Sequence, residues 1–228
     1  MEKLLKKLKL AEVIGESAWI LLLLFLLVGW KFPVIGTVAV FCMIAPVVVA
    51  SWKEGRVWCG NHCPRGQFND NLLSKISRSA QIPGFFKSVY FRSAFFVFLI
   101  YNFVMGIINA NGSLTAIGLV FYKIIFVTTI ITVSLGIIFH ERTWCAFCPM
   151  GSLSALVVKS KRKFVSNPMQ ITVDEEKCVD CGLCAENCAL DLEPHNFAEE
   201  GDCNLDCLHC NECIEACPVD ALNKVDKN

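Results

Sequence analysis

Along the first 140 residues, apolar side chains come in long blocks instead of alternating with polar ones. Four blocks stand out: Val13–Trp30, Phe32–Trp52, Phe91–Ala110 and Gly118–His140. Each approaches the ~20 residues that a helix needs to cross a hydrocarbon core. The lead-in MEKLLKKLKL resembles the basic start of a secretory signal. The apolar run behind it is long, however, and no small-residue cleavage site precedes GWKFPV, so a retained helix is expected. After His140 the blocks stop. The pattern predicts an all-α four-helix transmembrane module over residues 1–163 and a small polar domain over residues 164–228.

Composition agrees with that division. The chain is 54% hydrophobic, too apolar for an ordinary soluble protein of 228 residues. Its net charge of zero conceals an asymmetry: residues 1–163 carry 18 Lys+Arg against 6 Asp+Glu, and residues 164–228 carry 3 against 15. Sixteen basic residues flank the spans on one side, in the amino-terminal tail, the middle loop and the segment after the fourth span. Lys31 alone lies in the short loops opposite. The positive-inside bias therefore predicts a multi-pass protein with both termini, both elbows and the acidic tail facing the cytoplasm.

Fourteen cysteines change the picture most. CVDCGLCAENC carries Cys178, Cys181, Cys184 and Cys188 in a C-x2-C-x2-C-x3-C run, and CLHCNECIEACP repeats it at Cys207, Cys210, Cys213 and Cys217. Three close thiolates hold three corners of an iron–sulfur cube, and in two-cluster proteins the fourth cysteine serves the other cube. The expected ligand sets are Cys178, Cys181, Cys184 and Cys217 for one 4Fe–4S cluster, and Cys207, Cys210, Cys213 and Cys188 for a second. Zinc sites usually carry paired C-x2-C knuckles instead of two complete four-cysteine runs. Residues 164–228 thus read as a small α+β two-cluster ferredoxin-like domain. Cys188 lacks the proline that follows Cys217. Cys203 reads as a spare thiol and Cys42 as a packing residue within a span.

Two further cysteine pairs end the apolar hairpins: WCGNHCPRG with Cys59 and Cys63, and WCAFCPMG with Cys145 and Cys148. The shared W-C-x(2–3)-C-P-x-G suggests an internal duplication of hairpin and elbow. Proline after the second cysteine suits the first position of a new helix, where its missing N–H costs nothing. Four converging thiols would suit a further iron–sulfur cluster, a metal ion or a dithiol relay; the alternative is a turn with incidental thiols. His62, inside the first elbow, suits a ligand or proton donor, or a side chain that is merely solvated. Glu12 and Glu16 suit either the interface or a proton or quinone site. Asn102 and Asn109 suit helix packing, and Lys123 suits snorkelling. His140 and Glu141 lead into the second elbow.

With the elbows and both cysteine runs in view, nearly the whole chain resembles the NapH-type family of membrane iron–sulfur proteins, related to NosR and CcoG modules. The second elbow is one residue shorter than that family's C-x3-C-P. The resemblance implies an electron-transfer subunit passing electrons between a quinone pool, or a membrane redox partner, and cytoplasmic 4Fe–4S clusters. Expected partners are the lipid bilayer, a quinone or membrane redox subunit, and a soluble ferredoxin or other redox protein. No nucleotide-binding fingerprint appears, and no nucleic acid is expected. A redox-sensing or assembly role, or metal-ion reduction, are the alternative readings.

Overall fold

The computed structural model describes residues 17–52, 55–162, 170–197 and 204–225. Glu12, Glu16, Lys163, Cys203 and the start of the first apolar block lie outside the described residues. Within them the chain is mostly helical. The helices are α1 (Ala18–Gly29), α2 (Ala39–Trp52), α3 (Val57–Asn61), α4 (Pro64–Asn71), α5 (Gly84–Lys87), α6 (Val89–Asn109), α7 (Leu114–Ile138), α8 (Thr143–Phe147), α9 (Pro149–Arg162), α10 (Leu183–Glu186) and α11 (Glu212–Glu215). Strands β1 (Gln170–Val173) and β2 (Leu222–Val225) form a two-stranded sheet. The chain groups into two compact units, Met1–Ile44 with Asn61–Pro149, and Ala45–Gly60 with Met150–Asn228.

Among the described residues, three segments are long and apolar enough to cross a membrane: Pro33–Trp52, α6 and α7. The first expected span is represented by α1, whose 12 described residues extend about 18 Å at 1.5 Å per residue. Helix α6 has no buried residue, and Val97, Phe98, Tyr101, Val104 and Ile108 are all exposed along it. Such a surface suits lipid, because a helix satisfies its own backbone there. Asn102 follows the same logic: its amide donates to Phe98 O at 2.7 Å within α6, so it does not bridge helices as expected. Lys123 is exposed on α7. Cys42 corrects an expectation, being exposed instead of packed. It lies beside the outward stripe formed by Phe41, Ile44 and Val48.

In the first unit, α7 meets the 3-10 turn Pro33–Val38 at a pair of glycines. A Cβ on Gly36 would overlap the carbonyl of Gly118, and a Cβ on Gly118 would overlap that of Pro33. Small residues allow such close backbone approach, which is the main source of packing between apolar helices in lipid. One step along, the Tyr122 ring covers Gly29 and its hydroxyl donates to Leu26 O at 3.1 Å. α1 also packs on α4, the helix that follows the first elbow.

In the second unit, β1 and β2 pair antiparallel, with Gln170 opposite Val225 and Val173 opposite Leu222. Ile171, Phe197 and Leu222 build a small core in which Cys184, Cys207 and Cys213 are also buried. Lys161, in the basic last turn of α9, donates to Trp52 O at the end of α2 at 3.3 Å. Replacing Gly118 by leucine is expected to push α7 off the Pro33–Val38 turn and cost about 3 kcal/mol, the upper range for overpacking. Thermal unfolding in detergent, with Gly118→Ala as an intermediate case, measures it.

Candidate iron–sulfur sites and the elbows

The two cysteine runs share one backbone design, displaced by 29 residues: Cys178 and Cys207 open them, and Cys188 and Cys217 close them. The left-handed positions repeat with the same offset. Asp180 (φ 50°) matches His209 (51°), Gly182 (75°) matches Asn211 (71°), and Asp191 (47°) matches Asp220 (49°). Left-handed residues next to right-handed ones curve the chain and turn successive N–H groups towards a concavity, an arrangement suited to anionic groups. Helices α10 and α11 then carry Cys184 and Cys213 at equivalent points.

These loops enclose two cavities. The first is lined by Cys178, Cys181, Cys184 and Cys217, together with Val179, Leu183, His195 and Pro218. The second is lined by Cys188, Cys207, Cys210 and Cys213, together with Leu190, Leu192 and Phe197. The last cysteine of each run therefore borders the cavity built by the other run. Burial pushes the Cys213 thiol up to about 12 and the Cys210 thiol up to about 11, and Cys184 and Cys188 rise for the same reason. At Cys217 burial opposes ionisation, but backbone donors outweigh it and lower the thiol; Ala221 N–H lies 3.3 Å from its Sγ. Metal ligation displaces the protons that such thiols otherwise hold. His195, which the sequence reading did not single out, places Nδ1 3.6 Å from Cys184 Sγ and Nε2 3.7 Å from Asp180 Oδ1.

The elbow thiols occupy a different setting. Cys59 is buried on α3, and Cys145 is buried on α8. Cys63 and Cys148 are half-buried, and each immediately precedes a proline that opens a helix, Pro64 for α4 and Pro149 for α9. His62, inside the first elbow, is exposed. The α8 side chains Trp144 and Phe147 are buried in an aromatic cluster. The ring centroid of Phe147 lies 5.0 Å from that of Phe86, 5.1 Å from Phe95 and 5.1 Å from Trp144. Arg65 lies over the Trp144 ring at 5.3 Å and donates to Thr128 Oγ1 at 2.9 Å.

The structure lengthens the repeat between the elbows. Arg56 stands three residues before Cys59, and Arg142 three before Cys145, so the shared phrase is R-x-W-C. Both arginines are buried. Arg142 grips Asp70 through two hydrogen bonds, Nε to Oδ1 at 2.6 Å and Nη2 to Oδ2, and its Nη1 lies 3.6 Å from Cys145 Sγ. Burial disfavours this charge, but Cys145 and Asp70 more than offset it, raising the Arg142 pKa. Arg56 contacts Asp206 Oδ1 through Nη1 at 3.2 Å, and its backbone N–H donates to Cys207 O at 3.0 Å. Extending the alignment of the two elbows by three residues finds this signal. Sequence reading used these arginines only to infer sidedness. The Trp144 indole N–H and the Asn69 amide are buried with no hydrogen-bond partner among the described residues. His140 joins the contacts of Arg142: its Nδ1 accepts from the Arg142 backbone N–H at 3.2 Å, and its Nε2 lies 3.6 Å from Glu141 Oε1.

Residues 35–83 and again residues 119–167 match the family Fer4_5, a 4Fe-4S binding domain. Residues 205–223 match Fer4, a second 4Fe-4S binding domain. One family thus matches two segments of the apolar part, and each match contains one elbow. The chain contains 4Fe–4S binding domains in its apolar part and in its tail. It is similar to an uncharacterized protein of Methanocaldococcus jannaschii, with 25% identity over 77% of this chain and 67% of that protein. It is also similar to the electron transport protein YccM of Escherichia coli, with 30% identity over 43% of this chain and 27% of that protein. Subunit I of an NADH-quinone oxidoreductase of Geobacter metallireducens shares 36% identity over 24% of this chain and 49% of its own length. No solved structure matches. For the site itself, Asp70→Asn is expected to leave Arg142 partly uncompensated and lower stability by about 2 kcal/mol. The shift in detergent unfolding temperature measures this, and Asp70→Glu should recover part of the loss.

Proposed function

We propose that this chain is a membrane-anchored electron-transfer subunit of the NapH-like kind, in which two 4Fe–4S clusters occupy the tail and a further iron–sulfur centre occupies the elbows. Iron–sulfur electron transfer is its chemistry. The observation that carries this reading is the division of eight cysteines between two cavities, four to each, with the closing cysteine of each run bordering the other run's cavity. Cys178, Cys181, Cys184 and Cys217 would hold one cluster, and Cys207, Cys210, Cys213 and Cys188 the other. Thiols that ring a cavity suit a polynuclear cluster better than a single ion, which draws its sulfurs to about 2.3 Å from one point.

For the elbows, support comes from the twofold match to a 4Fe-4S binding domain, each copy containing one cysteine pair. Two buried thiols, Cys59 and Cys145, add to it. So do the buried donors on Trp144 and Asn69 that lack a protein partner among the described residues, since sulfide and thiolate sulfurs accept such bonds. When bound, the clusters supply one-electron oxidation and reduction. The protein's residues gather the thiolates, exclude water and set the surrounding charge. Arg142 places a positive charge at Cys145 Sγ, which compensates negative charge on sulfur in the buried setting.

We further infer that electrons pass between a quinone or membrane redox subunit at the elbows and a soluble redox protein at the tail. The termini and tail would face the cytoplasm. Anaerobic purification is expected to give a brown protein with about eight iron atoms per chain in the tail clusters and additional iron at the elbows. Cys213→Ser should remove about four of them. Cys59→Ser with Cys145→Ser should lower iron without touching the tail clusters. Iron unchanged in the elbow variant would remove the elbow centre, and a colourless wild-type protein would remove the whole reading. Addition of a menaquinol or ubiquinol analogue should change the cluster absorbance; inert clusters would exclude the quinone role.

A further inference from the structure

The two halves of the cysteine-rich tail share a backbone but face different surroundings. In the second repeat the loop between Cys207 and Cys210 is covered: Leu208 is 4% exposed and His209 is 1% exposed. The cover is the first elbow segment. A Cβ on Gly55 would overlap the His209 ring, and a Cβ on Gly60 would press on the Leu208 carbonyl. Arg56 fastens the same contact through Asp206 and Cys207 O. The equivalent loop of the first repeat is open. Val179 is 63% exposed, and the side chain of Asp180 is 83% exposed.

Around the first cavity, Val179, Leu183 and Val219 form an exposed apolar rim, and all three line the cavity that Cys178, Cys181, Cys184 and Cys217 border. Leu208 and Leu190, which replace Val179 and Val219 at the second cavity, are buried. Cys181 is itself exposed. The charges nearby are mostly acidic: Asp180, Glu186 and Asp220 are exposed, as are Glu175 and Glu176. Lys177 is the basic residue here among those described, and it is paired with Asp174 at 2.9 Å. A few apolar side chains ringed by one sign of charge suit a short-lived electron-transfer complex, which is small in area and guided by electrostatics.

We propose that the rim of Val179, Leu183 and Val219, flanked by Asp180 and Glu186, is the docking surface for a soluble one-electron carrier with a basic contact face. The inference rests on the electron-transfer reading and names where the soluble partner binds. The loop that lines the second cavity is covered by residues 55–60, and the loop that lines the first is open. In each encounter one electron leaves the reduced protein and reduces one partner molecule; no proton or atom is transferred.

The test uses the full-length protein, purified anaerobically and reduced with dithionite. Ferric cytochrome c serves as the basic acceptor and oxidised flavodoxin as an acidic one. Wild-type protein is expected to reduce cytochrome c faster, with a rate that falls as salt rises. Asp180→Asn with Glu186→Lys should slow this about tenfold at low salt, weaken cytochrome c binding to the immobilised oxidised protein and flatten the salt dependence. The asparagine keeps the left-handed backbone accessible. Val179→Ala should weaken binding of cytochrome c at all salt concentrations.

Glu215→Lys changes the residue 29 positions beyond Glu186, outside the rim, and should leave rate and binding close to wild type. If Glu215→Lys slows transfer as much as the rim variant, or the rim variant binds like wild type, the docking surface is wrong. Iron content and absorbance of every variant separate these outcomes from cluster loss. A wild-type protein that takes no electron from dithionite defeats the electron-transfer reading itself.

Discussion

The buried guanidinium of Arg56 fastens the cysteine-rich tail to the first elbow segment. Its side chain reaches Asp206, and its backbone N–H donates to the carbonyl of Cys207, the first thiol of the second run. Glycines on either side make the approach possible. Gly55 sits in the left-handed region at φ 70°, against His209, and Gly60 leaves room for the Leu208 carbonyl. Breaking a buried ion pair by removing one partner costs about 3–5 kcal/mol, so this contact has few tolerable substitutions. The same loop is covered in one tail repeat and open in the other.

The second elbow solves the same problem with different neighbours. Arg142 takes its carboxylate from Asp70, and α8 is wedged by the aromatic rings of Phe86, Phe91 and Phe95. In both elbows an arginine one turn before the cysteine is removed from water and paired. An arginine stays charged when buried, unlike lysine, and its fork fits a carboxylate in two places. This suits sites where sulfur carries negative charge in a poorly hydrated setting.

Much of this was legible in the chain. The two C-x2-C-x2-C-x3-C runs specify their own cavities, because three closely spaced thiols bend a short loop and leave the fourth for the neighbouring repeat. Pro64 and Pro149 open helices where their rings require it. Three apolar segments match the expected spans to within a few residues. What could not be read had a common cause: it depends on which surfaces meet. The covering of Leu208, the exposure of Cys42 and the pairing of Arg142 with Asp70, 72 residues away, leave no periodic trace. The arginine repeat was visible in principle, and it was obscured because basic residues near apolar blocks already had an explanation.

The crossing of Cys188 and Cys217 has a bearing on biogenesis. Neither cysteine run closes its own chamber, so a nascent chain stopped between them owns three of the four cysteines that border one cavity and one of those that border the other. On the proposed ligand sets, neither cluster could be fully ligated until both runs had been translated. β1 and β2 pair residues 170–173 with residues 222–225, so both cysteine runs lie within one loop of chain that the sheet closes.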